Sequence, residues 1–228
     1  MSLIQKFAEI HNKYQAYSKA TFEVAEEGNI VYRLQNHEEF KYLFNFYNDF
    51  HNILLNKFSD NLKVRQARSQ DLPFLGPNVI KTGRVKFMFV FEGSLSPVNA
   101  LSITVLSHLW LTESQIIIDD YCGKGKWWTI NNYLNIKRNL KLTKEIAENS
   151  FVIDALRLND KKKCTELIYD EINLLKPKLV ICVGSIARNI VGMRYVKSDT
   201  KFHSVKFPKY HKEKQIYDNL EMIINDIE

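Results

Sequence analysis

The sequence predicts an α/β fold: a three-layer α/β/α sandwich around a mostly parallel central sheet, with a helical extension ahead of it. Three observations predict it. From residue 85 onward, apolar runs of strand length alternate with longer segments of helical period. Two of those runs, "VKFMFVF" and "KLVICVG", are apolar without polar alternation, as strands covered on both faces are. A chain of 228 residues also suits one well-buried domain and would be cramped as two. The chain therefore divides into a helical extension packed on the core, residues 1–80, and an α/β/α domain, residues 81–228.

In order along the chain, residues 2–19 and 36–58 carry apolar positions at helical spacing. The second of these opens with Asn36 as an N-cap and has Glu38 and Glu39 in its first turn. Its aromatics, Phe40, Phe44 and Tyr47, recur every three or four residues and read as core packing. Two prolines and two glycines break "SQDLPFLGPNVIKTG" (69–83) into a loop. Strands follow at 85–92, 115–119, 150–156, 178–184 and 201–207. Helices are predicted near 129–140, at 160–175 capped by Asp160, from Ser185, and at 211–227.

Composition narrows the class. A hydrophobic content of 45% with 25% charged residues, and no apolar run approaching the ~20 residues of a bilayer span, point to a protein without a membrane partner. The first twenty residues lack a signal-peptide core. Cys122, Cys164 and Cys182 are odd in number and widely spaced, which supports neither a disulfide framework nor a zinc site. The reading is a reducing cytoplasm, a monomer, and no metal or cofactor. A formal net charge of +6 tilts the chain mildly toward polyanions.

In a sheet of this kind, ligands bind outside the carboxyl ends of the strands. The residues predicted there are Glu92-Gly93-Ser94, Asp119-Asp120, Asp154, Gly184-Ser185, and Pro208 through His211. A single carboxylate at a strand end is usually a cap. Three strand ends with carboxylates on one rim suggest chemistry.

The block "SFVIDALRLNDKKKCTELIYDEINLLKPKLVICVGSIARNIVG" resembles the second half of the uracil-DNA glycosylase superfamily. "VKFMFVFEGSLSP" is similar to that family's first motif, and "VKFPKYHKEKQIYDNLEMI" stands where its second would fall. The resemblance covers roughly residues 84–228 and implies a DNA glycosylase that acts on one base without further strand cleavage. It places Glu92 on the acidic residue that orients or activates water, with Phe91 and Ser94 replacing the usual Gly and Pro. Asp154 falls on the Asn that reads the edge of the flipped base. Gly184 and Ser185 match a strand-to-helix turn whose backbone N–H groups suit a DNA phosphate. The family's His-Pro-Ser is missing, which leaves His211 or His203 as candidates for its role. Cys164 falls near one of four cysteines that ligate an iron–sulfur cluster in some members; the other three are absent, so no cluster is implied.

These residue types fit the reaction. Breaking an N-glycosidic bond builds positive charge on the sugar and negative charge on the base, so a carboxylate and a donor are both required. Glu92 suits the first task, and His211, Lys209 or Tyr210 the second. Phe91, Trp127 or Trp128 would hold the extruded base. "GKGKWW" joins flexible backbone, the cations Lys124 and Lys126, and stacking surface, and with Lys209 it reads as a phosphate-facing set.

Two departures narrow the base. An ionised Asp154 only accepts hydrogen bonds, so it favours an exocyclic amine such as that of cytosine over a uracil carbonyl. Small residues around Ser94 leave the wall beside C5 open. Together they suggest a C5-modified cytosine, a kind of base found in phage DNA, and hence a defence role. Two rivals stand beside this reading: a Mg²⁺-dependent nuclease built on Glu92, Asp119, Asp120 and Asp154, and a non-catalytic member that only binds nucleic acid.

Overall fold

The computed structural model describes residues 1–14, 16, 22–23, 38, 41–55, 66–67, 73–92, 143–192 and 199–206. The first helix, α1 (Leu3–Asn12), starts at a reciprocal cap: the Ser2 hydroxyl accepts from the Gln5 amide and the Gln5 side chain accepts from the Ser2 amide. It ends well short of the predicted residue 19. The chain turns at Lys13 and Tyr14, and both of these side chains reach Asp170, at 3.2 and 2.9 Å. A two-residue antiparallel ribbon, β1 (Phe22–Glu23) with β2 (Gln66–Ala67), was not foreseen. Between them in sequence lies α2 (Lys41–Leu55), with Phe44 and Tyr47 buried as its spacing predicts; Phe40 lies outside the described residues.

The segment expected to be a loop contains structure. It holds β3 (Phe74–Leu75) and α3 (Pro77–Thr82). The prolines and glycines that suggested a loop are here the ends of a short helix: Pro77 opens it, and Gly83, at φ 68°, closes it in the left-handed region. Gly76 must be glycine for a different reason, since a Cβ there would lie 2.3 Å from the Glu148 carbonyl oxygen. The 80/81 boundary falls inside α3, and β3, ahead of that boundary, is a strand of the main sheet.

The rest follows the expected order within the described residues. β4 (Phe87–Phe91) is buried at all five positions. The five-residue helix α4 (Lys144–Glu148), capped by Thr143, was missed. Then come β5 (Ser150–Asp154), α5 (Lys161–Leu175), β6 (Leu179–Val183), α6 (Ser185–Val191) and β7 (Lys201–Val205). Asp160 caps α5 as predicted, accepting from Lys162 and Lys163 amides at 2.7 and 3.0 Å. The predicted strand at 115–119 and helices at 129–140 and 211–227 lie outside the described residues.

The result is an α/β protein with a mixed five-stranded sheet in the order β3-β5-β4-β6-β7. β4 runs parallel to β5 on one side and β6 on the other, and β7 runs parallel to β6. β3 is antiparallel to β5. It is a two-residue edge piece whose backbone is held by tyrosines of α2: Tyr47 donates to the Pro73 carbonyl and Tyr42 to the Leu75 carbonyl. An aromatic cluster joins the N-terminal helices to the sheet. Phe7 packs edge-on against Phe151 of β5, with centroids 5.8 Å apart, and also against Phe46 and Phe50. Such pairs add about 0.5–1.5 kcal/mol beyond the area they bury.

The order has a consequence for binding. The chain leaves β4 to one side to make β5, then returns to the other side of β4 to make β6. The connections therefore diverge at the carboxyl ends of β4 and β6, which is where doubly wound sheets open a crevice.

Candidate functional site

Glu92 follows the last residue of β4 and stands at that divergence. Its Oε1 accepts a hydrogen bond from the Ile186 amide, 3.1 Å away in the first turn of α6. This carboxylate therefore ties the ends of two adjacent parallel strands together. Its Oε2 has no hydrogen-bond partner among the described residues.

Gly184 makes the contact possible twice over. Its φ of 98° belongs to the region only glycine enters without strain. A Cβ at this position would lie 2.2 Å from Glu92 Oε1 and 2.6 Å from its Cγ and Cδ. The sequence placed both residues at strand ends; the contact between them is new. It also bears on the expected phosphate site. The Gly184 amide donates to the Val205 carbonyl at 2.8 Å and the Ile186 amide to Glu92. A phosphate at this turn would face the Glu92 carboxylate, and like charges repel.

Asp154 ends β5, in register with Phe91. The two strands stay joined past this point, through Ala155 N–H to the Phe91 carbonyl at 2.7 Å and Leu156 N–H to the Glu92 carbonyl at 3.3 Å. Asp154 is 1% exposed, and neither carboxylate oxygen has a hydrogen-bond partner among the described residues. Burial pushes its pKa up to about 7, with Arg157 pulling the other way. An unbonded buried carboxyl costs several kcal/mol or takes up a proton. Such groups recur at functional sites.

Behind it lies a network the sequence did not reveal. Arg157 grips Glu171 of α5 through two bonds, Nη1–Oε1 at 2.8 Å and Nη2–Oε2 at 2.5 Å. His11 Nε2 lies 3.1 Å from the same Oε1. Burial pushes the Glu171 carboxyl up, but Arg157 and His11 outweigh it and hold it below the ordinary value. The one available signal was a glutamate on the apolar face of a helix, among Leu167, Ile168, Ile172 and Leu175.

The remaining expected site residues divide clearly. Phe91, expected to stack on a base, is 1% exposed and packs within the core, because it belongs to a strand covered on both faces. Ser185 is exposed at the start of α6. His203 lies in the middle of β7 opposite Ile181, away from the strand end, and burial lowers its pKa. Ser94, Asp119, Asp120, Lys124, Lys126, Trp127, Trp128, Lys209, Tyr210 and His211 lie outside the described residues. Among the described residues, no three His, Cys, Asp or Glu side chains gather to hold a metal ion. No helix among them is long and apolar enough to cross a membrane.

Fold and site together define an α/β protein with two carboxyl groups, one anchored and one buried without a partner among the described residues, on neighbouring strand ends at a topological divergence. No protein-family model matches the chain, and no curated protein sequence matches it either.

Proposed function

We propose that this chain is a DNA glycosylase that extrudes a modified base, a C5-substituted cytosine in preference to uracil, and hydrolyses its N-glycosidic bond. The observation that carries the proposal is Asp154. A buried carboxyl with both oxygens unbonded among the described residues, at the carboxyl end of the sheet, is matched by the hydrogen-bonding edge of a base. Two further features support it. Glu92 and Gly184, which fall on separate motif positions in the glycosylase resemblance, touch each other. The chain also folds as an α/β protein with a mixed five-stranded sheet, the class to which the resemblance points.

In this reading Glu92 uses Oε1 to stay on α6 and Oε2 to hold the attacking water. Water adds at C1′ of the sugar, and the C1′–N bond breaks with its electron pair leaving on the base. One water proton passes to Glu92 and then to solvent. The departing base takes a proton from a donor, for which His211 is our candidate. Asp154 sets the preference. Ionised, it accepts from an exocyclic amine; protonated, it both donates and accepts, as an amide does. Discrimination against uracil is therefore strongest above about pH 7, where the carboxyl is ionised. The enzyme would act as a cytoplasmic monomer without cofactor, in defence against phage whose DNA carries such bases.

The test is incubation with duplexes carrying uracil, cytosine or a C5-substituted cytosine, in excess chelator, followed by alkaline cleavage at abasic sites. The expected result is cleavage, greatest for the C5-substituted base. No abasic site on any duplex at stoichiometric protein would overturn the proposal. Strand cleavage that appears only when Mg²⁺ replaces the chelator would favour the nuclease reading.

A further inference from the structure

The opposite end of the sheet carries an unassigned charge pattern. β4, β6 and β7 are neighbouring parallel strands, so their amino ends lie side by side. Just ahead of them stand Arg84 and Lys86, then Lys176 and Lys178, and Lys201 opens β7. The backbone holds them together: Leu179 N–H donates to the Lys86 carbonyl at 3.0 Å and Lys201 N–H to the Lys178 carbonyl at 2.9 Å. At about 4.8 Å between strands, the row spans roughly 10 Å. Five-residue strands put it about 16 Å from the Glu92 rim.

Four of these five cations are not there to neutralise carboxylates. Arg84, Lys86, Lys176 and Lys201 take part in no ion pair among the described residues, whereas Lys13, Lys41, Arg157 and Lys163 all do. Asp199 adjoins the row at one end, and at the other Glu145 and Glu148 of α4 lead into β5, whose preceding Asn149 carbonyl accepts from the Lys86 N–H at 3.0 Å; Glu148 also acts on Tyr42. Lys86 is half-buried and the other four are exposed. The surface is also without apolar anchors. Among the described residues the exposed large hydrophobics are Met1 and Ile186, and Ile186 is at the other end. A membrane-binding face needs an apolar stripe, and a protein interface needs an apolar or aromatic centre. A row of flexible cations with neither is suited to a repeating anion.

We propose that the amino end of the sheet, through Arg84, Lys86, Lys176, Lys178 and Lys201, is a sequence-independent contact for a nucleic-acid phosphate backbone, separate from the Glu92 rim. Its distance from that rim means it holds a different stretch of backbone from the one at the carboxylates. This contact does not depend on the base-excision reading.

The experiment measures binding of a 30-base-pair duplex of ordinary bases by fluorescence anisotropy across a salt series. It compares wild type with an Arg84→Gln/Lys176→Gln/Lys201→Gln variant, and with Lys176→Arg/Lys201→Arg. Each phosphate contact contributes about 0.9 to the slope of log K against log salt, so the glutamine variant should lose about 2.7. The arginine variant should keep the wild-type slope. Melting curves verify that both variants are folded, and abasic-site formation on a short modified duplex is read in parallel. Equal slopes for wild type and the glutamine variant would overturn the contact, as would no duplex binding by wild type. So would phosphatidylserine vesicles that capture wild type and release the glutamine variant while the duplex slope stays unchanged. Loss of slope in a protein that makes no abasic sites would sustain the contact and refute only the glycosylase reading.

Discussion

Replacing Asp154 by asparagine should make the fold more stable relative to wild type as pH rises from about 4 to about 7, with the gain levelling off above. In the unfolded chain this carboxyl titrates near its ordinary 3.8; in the folded protein burial raises it to about 7. A group whose folded pKa is raised contributes stability that is fully present below its unfolded pKa and lost as pH rises through the folded one. Wild type should therefore lose about 1.36 kcal/mol for each pH unit between about 4 and 7, at most about 4 kcal/mol in all, and level off above. Asparagine does not titrate, so the variant escapes this loss. Its amide is also buried, and that adds an offset of about 1–3 kcal/mol that does not change with pH. The slope, and not the level, is therefore the signature. Urea denaturation of both proteins at several pH values between about 4.5 and 8.5 gives the difference directly. Glu171 titrates in both proteins and cancels. A difference that stays constant with pH would show that Asp154 has an ionised-state partner, and the argument for an unbonded carboxyl would fail.

Three other substitutions test the site. Glu92→Gln keeps an oxygen acceptor for the Ile186 amide, so melting should shift little, while single-turnover excision should fall by a factor on the order of 10² or more; wild-type turnover would remove Glu92 from the mechanism. Gly184→Ala forces a side chain into the left-handed region and a Cβ to 2.2 Å from Glu92 Oε1, and should cost about 2–5 kcal/mol in denaturation; a loss below about 1 kcal/mol would mean the strand ends are not fixed as described. Glu171→Gln leaves the Arg157 charge buried without its carboxylate and should cost about 3–5 kcal/mol, measured the same way; a near-neutral result would show that water reaches Arg157.

Legibility followed the length of the local signal. β4 and β6 were readable because strands buried on both faces leave unbroken apolar runs, and α5 because a fifteen-residue helix with an aspartate cap repeats its pattern four times. β3, α3 and α4 have two, six and five residues, too few for a period to emerge. In α3 the signals of Pro77 and Gly83 at its ends outweighed the five residues between them. The site divided along similar lines. Glu92 and Asp154 could be noticed because each ends an apolar run with a carboxylate. That Glu92 rests on Gly184 is a contact between residues 92 positions apart, and no local pattern encodes it. The unbonded state of Asp154 was equally hidden, since the nearby Arg157 suggests a partner and only the structure shows that guanidinium turned to Glu171.

The central position of β4 also shapes how the chain is made. Its partner β5 begins at Ser150, roughly 60 residues after Phe91, and β6 comes later still. At about 5–20 residues per second of synthesis, "FMFVF" waits at least ~3–12 seconds for a neighbour. Five apolar, β-prone residues without a charge are a template for pairing with other nascent chains. Arg84 and Lys86 before the run and Glu92 after it act as gatekeepers against that pairing. Exchanging Arg84 and Lys86 for serine should raise the insoluble fraction on expression while leaving the melting point of the purified protein nearly unchanged. An unchanged insoluble fraction would relieve the two residues of this role. On this account, the charges beside β4 protect the newborn chain before there is any sheet for them to border.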